Sequence, residues 1–262
     1  MDEIKELRKQ DFEIIIAEKG FEEQLLVKDY YITVLLHIMR NIRGIHFKGG
    51  TAINKTILDH ARISEDIDFT IDRPLSEVRM EIEQTINSSK MFGTISHDKN
   101  VDKFVRLIVP YDTNFGKGEI FIDINERGKL LTKPEQLNIK HFYPNIPKFQ
   151  FLCLSVEEMI AEKVAAAIGR NKPRDHYDIY RIINHKLPIN LELVRKKCEQ
   201  SGHDPSIIKM FNNAKKLKNR WDTDMIPLIV EEISFQEVMK TLSKHFKLKE
   251  EKDKKKKTSA QN

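Results

Sequence analysis

The sequence predicts an α+β fold: a mixed sheet core followed by a helical C-terminal lobe. Three observations predict it. Segments of alternating polarity, such as "DIDFTI" (66–71) and "EIFIDIN" (119–125), carry the period-two signature of half-buried strands. Helical patterns are interleaved with them in the first half of the chain. From about residue 150 onward, strand signals give way to helical ones.

The elements follow in order. "DFEIIIAE" (11–18) and "KDYYITVLLHIMRNI" (28–42) are expected helices, the second apolar over most of its circumference and therefore buried. "IHF" (45–47) is a short strand that runs into Gly49-Gly50. A short helix, "TAINKTILDH" (51–60), comes next. The strand 66–71 precedes an amphipathic helix, 74–89, with Pro74 near its first turn. Strands are expected near 92–97 and 103–110, and the turn "NFGKG" (114–118) leads into the strand 119–125. A capping box, Ser155 with Glu158, opens a helix over 155–170, and "NKP" (171–173) separates it from a helix starting at Arg174. Further helices are expected near 190–200, 205–218, 223–231 and 234–246. The expected organisation is 1–150 for the sheet core with its N-terminal helices, 151–247 for the helical lobe, and 248–262 for a basic, disordered tail.

Composition limits the function classes. Of 262 residues, 40% are hydrophobic, enough for a packed core, and 32% are charged. No membrane span is expected, and "MDEIKELRKQ" is too charged for a signal peptide. Two cysteines, Cys153 and Cys198, make neither a disulfide framework nor a cysteine-rich metal site. A cytoplasmic setting is the expectation. The net charge is +5, of which the stretch 247–257 contributes +4. A globally basic nucleic-acid-binding surface is therefore not supported. No histidine pair has metal-ligand spacing.

The chemistry rests on acids. Asp66 and Asp68 are two apart on a strand, so they share a face, while Ile67 and Phe69 share the other. Carboxylates side by side repel unless a cation lies between them. Mg²⁺ suits one or two carboxylates plus substrate phosphates. By itself such a pair is more often just an acidic exposed face. Just upstream, Gly49 and Gly50 bring backbone N–H groups to a helix start, a natural phosphate cradle to which Thr51 can add a hydroxyl. Asp123 is a third acid, alone among hydrophobes on its own strand. If that strand lies beside 66–71, three carboxylates converge: the parts for metal-dependent nucleotidyl transfer, with Asp123 nearest the attacking hydroxyl.

"GGTAINK" followed by "RISEDIDF" resembles the DNA polymerase β-like nucleotidyltransferases, and more specifically the AbiEii/AbiGii toxin group. The matching residues are Gly49, Gly50, Thr51 and Ala52, then Arg62, Ser64, Glu65, Asp66, Asp68 and Phe69. A second block is similar too: Lys163, Arg170 and "RDHYD", with Arg174, Asp175 and Asp178. The resemblance implies a nucleotidyltransferase sheet core, a nucleoside triphosphate donor, Mg²⁺ and a cognate antitoxin; the acceptor hydroxyl is open between RNA, such as a tRNA 3′ end, and a protein side chain. Ser64 is open between capping the turn and binding a phosphate. Lys163 is open between a clamp on the triphosphate and an ion pair to Asp175 or Asp178, and the resemblance favours the clamp. Asp178 is expected to orient Lys163 or contact nucleotide, Asp175 to cap its helix or bind nucleotide, and Lys55 to be solvated. The alternative function is a nucleotide-binding or phosphotransferase module that acts by sequestration or partner binding.

Overall fold

The computed structural model describes residue 4, residues 7–170 and residues 172–259. The chain divides into two compact units, Met1–Val156 and Glu157–Asn262.

The first unit runs α1 (Lys9–Lys19), α2 (Glu23–Met39), β1 (Ile45–Lys48), α3 (Gly49–Thr56), β2 (Asp66–Ile71), α4 (Leu75–Asn87), β3 (Ser96–Val101), β4 (Phe104–Thr113), β5 (Gly116–Asn125), β6 (Glu135–Ile139) and β7 (Phe149–Cys153). Its strands form one seven-stranded mixed sheet in the order β3-β4-β5-β2-β1-β7-β6. Antiparallel pairs dominate, but β2 runs parallel to β5, and β1 parallel to β7. That places the two motif strands, distant in sequence, side by side at the middle of the sheet.

Alternation along the strands separates the two faces. Ile67, Phe69, Val105, Leu107, Ile120, Ile122 and Ile124 are all fully buried. They pack on the side covered by α2 and α4. At about 25 cal/mol per Å² of buried apolar surface, these side chains stabilise the packing of the sheet on its helices. Among the intervening residues, Asp66, Asp68, Arg106 and Asp123 are only half-buried.

Two strands were not expected. β6 and β7 fill the stretch ahead of the helical lobe, and the expected boundary at residue 150 falls inside β7. β7 pairs with both β1 and β6, so it belongs to the sheet. The third strand lies at Ser96–Val101 rather than at 92–97, with every residue exposed, as befits an edge.

The second unit is helical: α5 (Val156–Gly169), α6 (Pro173–Asn184), α7 (Leu191–Gln200), α8 (Ala214–Met225), α9 (Phe235–His245) and α10 (Leu248–Ser259). The helix expected at 205–218 is instead a 3-10 turn, Ile207–Phe211, that gives way to α8 at Asn213. The stretch 223–231 supplies only the end of α8 and a second 3-10 turn, Ile226–Leu228. The lysine-rich end, expected as a disordered tail, is described as the helix α10 through Ser259. Lys and Glu are good helix formers, and Glu250 and Glu251 sit in its first turn, where the helix dipole favours acids. Residues 260–262 lie outside the described residues. Among the described residues, no helix is long and apolar enough to cross a membrane.

Candidate active site

The glycine turn and the two-aspartate strand are built into each other. Gly49 opens α3 with a φ of 80°, in the left-handed region. A Cβ there would overlap Asp68 Oδ2, so Asp68 rests directly against the turn. At Gly50 a Cβ would meet Arg62 Nη2 at 2.6 Å and Ser64 Oγ at 3.2 Å. Gly49 is therefore required by backbone conformation as well as by close approach, and Gly50 is favoured by close approach alone.

The second layer of the turn is side chain to main chain. The Thr51 hydroxyl donates to the Asp66 carbonyl oxygen. Asn54 Nδ2 donates to the Gly50 carbonyl at 3.0 Å, and Asn54 Oδ1 accepts from the Arg62 backbone N–H at 3.2 Å. Arg62 also donates to its neighbour's carbonyl, that of Ile63, at 3.0 Å. Thr51 is 1% exposed and Arg62 2%. Both side chains help to hold the turn against β2. Ser64, half-buried beside Gly50, is in position either to brace the turn or to meet an anion.

Asp66, Asp68 and Asp123 occupy one face of the sheet. Register sets this: in the parallel β2–β5 pair Asp66 lies opposite Phe121, and Asp68 opposite Asp123. The row extends both ways. Lys48 of β1 is opposite Asp68, and Arg106 of β4 is opposite Asp123. Four strands thus present Lys48, Asp68, Asp123 and Arg106 in line, two acids between two bases. The bases offset the repulsion between adjacent carboxylates.

Arg106 was not anticipated. Its Nε donates to Asp123 Oδ1 at 2.6 Å, and its second terminal nitrogen to Oδ2 at 2.7 Å, a two-pronged ion pair. A third nitrogen is 3.8 Å from Asp98 Oδ2, and the guanidinium lies 5.3 Å from the Phe121 ring centroid. Hydrogen bonding to Asp123 raises the Arg106 pKa; burial opposes this, and the charges of Asp123, Asp66 and Asp98 reinforce it. The sequence signal was present: Arg106 is the one base on a strand whose alternate residues, Val105, Leu107 and Val109, are buried.

The three aspartates were expected to converge as a ready ligand set. In this structure Arg106 pairs with both oxygens of Asp123, and among the described residues no group of three His, Cys, Asp or Glu side chains is arranged to bind a metal. The residues nevertheless fit a hard divalent cation. Asp66 and Asp68 offer carboxylate oxygens on a half-exposed face, and Asp123 adjoins Asp68.

The second block forms its own cluster within the helical unit. Lys163 of α5 lies 3.0 Å from both Asp175 Oδ1 and Asp178 Oδ2 of α6. Arg170 forks onto Asp175 at 2.8 and 3.1 Å. Burial would push the Asp175 carboxyl up, but Lys163 and Arg170 outweigh it and hold it well below the usual range. Lys163 is 5% exposed, and in this structure it is ion-paired to both aspartates. Arg170 is half-exposed, and Arg174 is half-buried at the start of α6. His176 is fully buried, its ring bridging the Met210 and Lys172 carbonyls at 2.9 and 3.2 Å.

Lys55 is not solvated either. It is 1% exposed, 2.7 Å from Asp29 Oδ1, and donates to Thr33 Oγ1 at 2.9 Å. Tyr143 donates to the other Asp29 oxygen at 2.9 Å. Burial would push Asp29 up, yet Lys55 and Tyr143 hold its carboxyl below the usual range. Asp29 is an acid buried within α2, beside Tyr30, Tyr31 and Ile32, and Lys55 is the cation it pairs with.

Known proteins agree with this architecture. The family model described as nucleotidyl transferase AbiEii toxin of type IV toxin–antitoxin systems matches residues 43–241. The fold is similar to that of the nucleotidyltransferase toxin MenT4 (Rv2826c) from Mycobacterium tuberculosis H37Rv. The TM-score there is 0.67 at 20% identity, covering 88% of each chain. A nucleotidyltransferase-like structure from H. pylori aligns with a TM-score of 0.64 at 18% identity, over 87% of this chain and 95% of that one. JHP933 from Helicobacter pylori aligns with a TM-score of 0.58 at 16% identity, over 92% of this chain and all of that one. No curated protein matches the sequence. With the family model spanning both motif blocks, the chain belongs to the AbiEii family of type IV toxin nucleotidyltransferases and is an enzyme of that class.

Proposed function

We propose that the protein moves a nucleoside monophosphate from a nucleoside triphosphate onto a hydroxyl group of an RNA acceptor, such as a tRNA 3′ end, with pyrophosphate as the leaving group. The observation that carries this reading is the placement of Asp66, Asp68 and Asp123 on one open sheet face, with Asp68 packed on the glycine turn.

Gly49 and Gly50 bring the start of α3 close to phosphate oxygens, and no side chain of the capping residue blocks that helix end. Asp66 and Asp68 are the residues that would hold Mg²⁺. Bound there, it would neutralise charge on the triphosphate and the leaving pyrophosphate. Asp123 is nearest the attacking hydroxyl and takes its proton as the acceptor oxygen bonds to the α-phosphorus and the bond to the bridging oxygen breaks. Within the helical unit, Asp175 and Asp178 hold Lys163 in place, and Arg170 and Arg174 are the cations left nearest solvent for a nucleotide or RNA phosphate. The family membership supports a toxin role with a cognate antitoxin as partner.

The test uses α- and γ-labelled nucleoside triphosphates of all four bases with total RNA. Label from the α position should appear on RNA, and label from the γ position should not. Asp66→Asn and Asp68→Asn should abolish transfer without loss of fold, and each should relieve growth arrest in cells. Tight nucleotide binding with no transferred label would favour sequestration instead. Label from the γ position on an acceptor would favour phosphotransfer.

A further inference from the structure

We propose that Arg106 is a built-in counter-ion for Asp123 that a divalent cation must displace, so that Arg106 sets the cation concentration at which the third carboxylate joins the site. The inference rests on the reading of Asp66 and Asp68 as cation ligands and extends it to a residue of β4.

Three features support an exchangeable pair. First, Arg106 engages both Asp123 oxygens, at 2.6 and 2.7 Å, taking one lone pair on each and setting a positive charge against any cation that approaches them. A guanidinium does not lose its proton at accessible pH, so Asp123 is released only when the side chain swings away. Second, the pair is not locked in the core: the Arg106 side chain is 25% exposed and that of Asp123 15%. Third, the swing has somewhere to go. Asp98, 3.8 Å away on the exposed edge strand β3, is a second carboxylate for the released guanidinium, and the Phe121 ring face is within 5.3 Å. The swap would leave both Asp123 and Asp98 paired with a cation. The cation takes Asp123 beside Asp68, and Arg106 moves to Asp98. Along the strand row, the positive charge next to Asp123 changes identity rather than disappearing.

The test is a Mn²⁺ titration of the full chain without nucleotide, with free Mn²⁺ followed by electron paramagnetic resonance and folding checked by circular dichroism. Arg106→Gln should bind Mn²⁺ about three- to fivefold more tightly than the wild type, the upper end being the factor that corresponds to a partly exposed ion pair. Arg106→Lys keeps the charge but loses the fork, so it should fall between the two. In the Asp123→Asn background, Arg106→Gln should change the affinity less than twofold, because the competing ligand is gone. Equal or weaker Mn²⁺ binding by folded Arg106→Gln or Arg106→Lys would overturn the inference. Equal tightening with and without Asp123 would overturn it as well, since that would be general charge removal. A failure of the underlying reading looks different: wild-type Mn²⁺ binding would then be indifferent to Asp66→Asn and Asp68→Asn.

Discussion

The open face of the sheet and the interior behind the glycine turn use the same residue types to opposite ends. On the open face, Arg106 and Asp123 pair with side chains 25% and 15% exposed. Behind the turn, Lys55 and Asp29 pair with side chains 1% and 2% exposed. Water can replace either partner in the first pair. In the second, either charge left alone would be stranded in a low-dielectric interior. Charged residues in a motif therefore do not all belong to the chemistry. Exposure separates those able to exchange partners from those that hold α3, and with it Gly49 and Gly50, in place.

The sharpest way to break this contrast is to remove Lys55. Lys55→Met leaves Asp29 buried with only Tyr143 donating to its carboxylate, and should cost about 3–5 kcal/mol in urea unfolding. Lys163→Met in the helical unit leaves Asp175 and Asp178 facing each other with Arg170 on one of them, and should cost a similar amount. A cost below about 1 kcal/mol for both variants would put the buried pairs in the same class as the surface one.

The next effect is a pH dependence confined to the interior. His60 is buried, has a left-handed backbone, and neither ring nitrogen has a hydrogen-bond partner. Burial, reinforced by the Lys55 charge, lowers its pKa to about 3. The folded protein therefore refuses a proton that the unfolded chain accepts below about pH 6.5. The sign follows: stability is fully present above that pH and falls on acidification, by up to about 2 kcal/mol on reaching about pH 5. Asp175 adds no slope there, because a depressed carboxylate loses its contribution only below the usual carboxylate range. His141 and His245 are also depressed by burial and act in the same direction. His60→Asn, which tolerates the left-handed backbone, should reduce the slope of the urea midpoint against pH without abolishing it. An unchanged slope would remove His60 from this account.

Much of the sheet was legible because its signal is local. "DIDFTI" alternates, and the strand spans Asp66–Ile71 as expected. The glycine turn and the Asp123 strand were legible for the same reason. β6 and β7 were missed because "EQLNI" is largely exposed and "FQFLC" sits next to a strong helical pattern. The partners of the motif residues are set by register and tertiary packing, which no single stretch of sequence contains. Arg106 meets Asp123 only because β4 pairs with β5 in one particular frame, and a shift by one residue would turn it to the other face. Lys55 meets Asp29 across 26 residues of chain, so a lysine flanked by Asn54 and Thr56 gave no local sign of burial.

Two smaller effects sharpen the contrast on the open face. Gly49→Ala adds a Cβ at a φ of 80° that collides with the Asp68 carboxylate. It should cost about 1–2 kcal/mol in stability and reduce nucleotide transfer far more than that loss accounts for, because Asp68 must move. Urea unfolding and transfer rate measured on the same preparation separate the two. Arg106→Gln should do the reverse. The pair it removes is partly exposed, so the expected loss is below about 1 kcal/mol, and in moderate salt it should shrink further as the remaining charges are screened. Lys55→Met should be almost indifferent to salt, because its pair is sealed from ions. If Arg106→Gln destabilises as much as Lys55→Met, with the same indifference to salt, then exposure does not distinguish exchangeable charges from structural ones in this protein, and Arg106 is one more structural cation rather than the counter-ion of a working carboxylate.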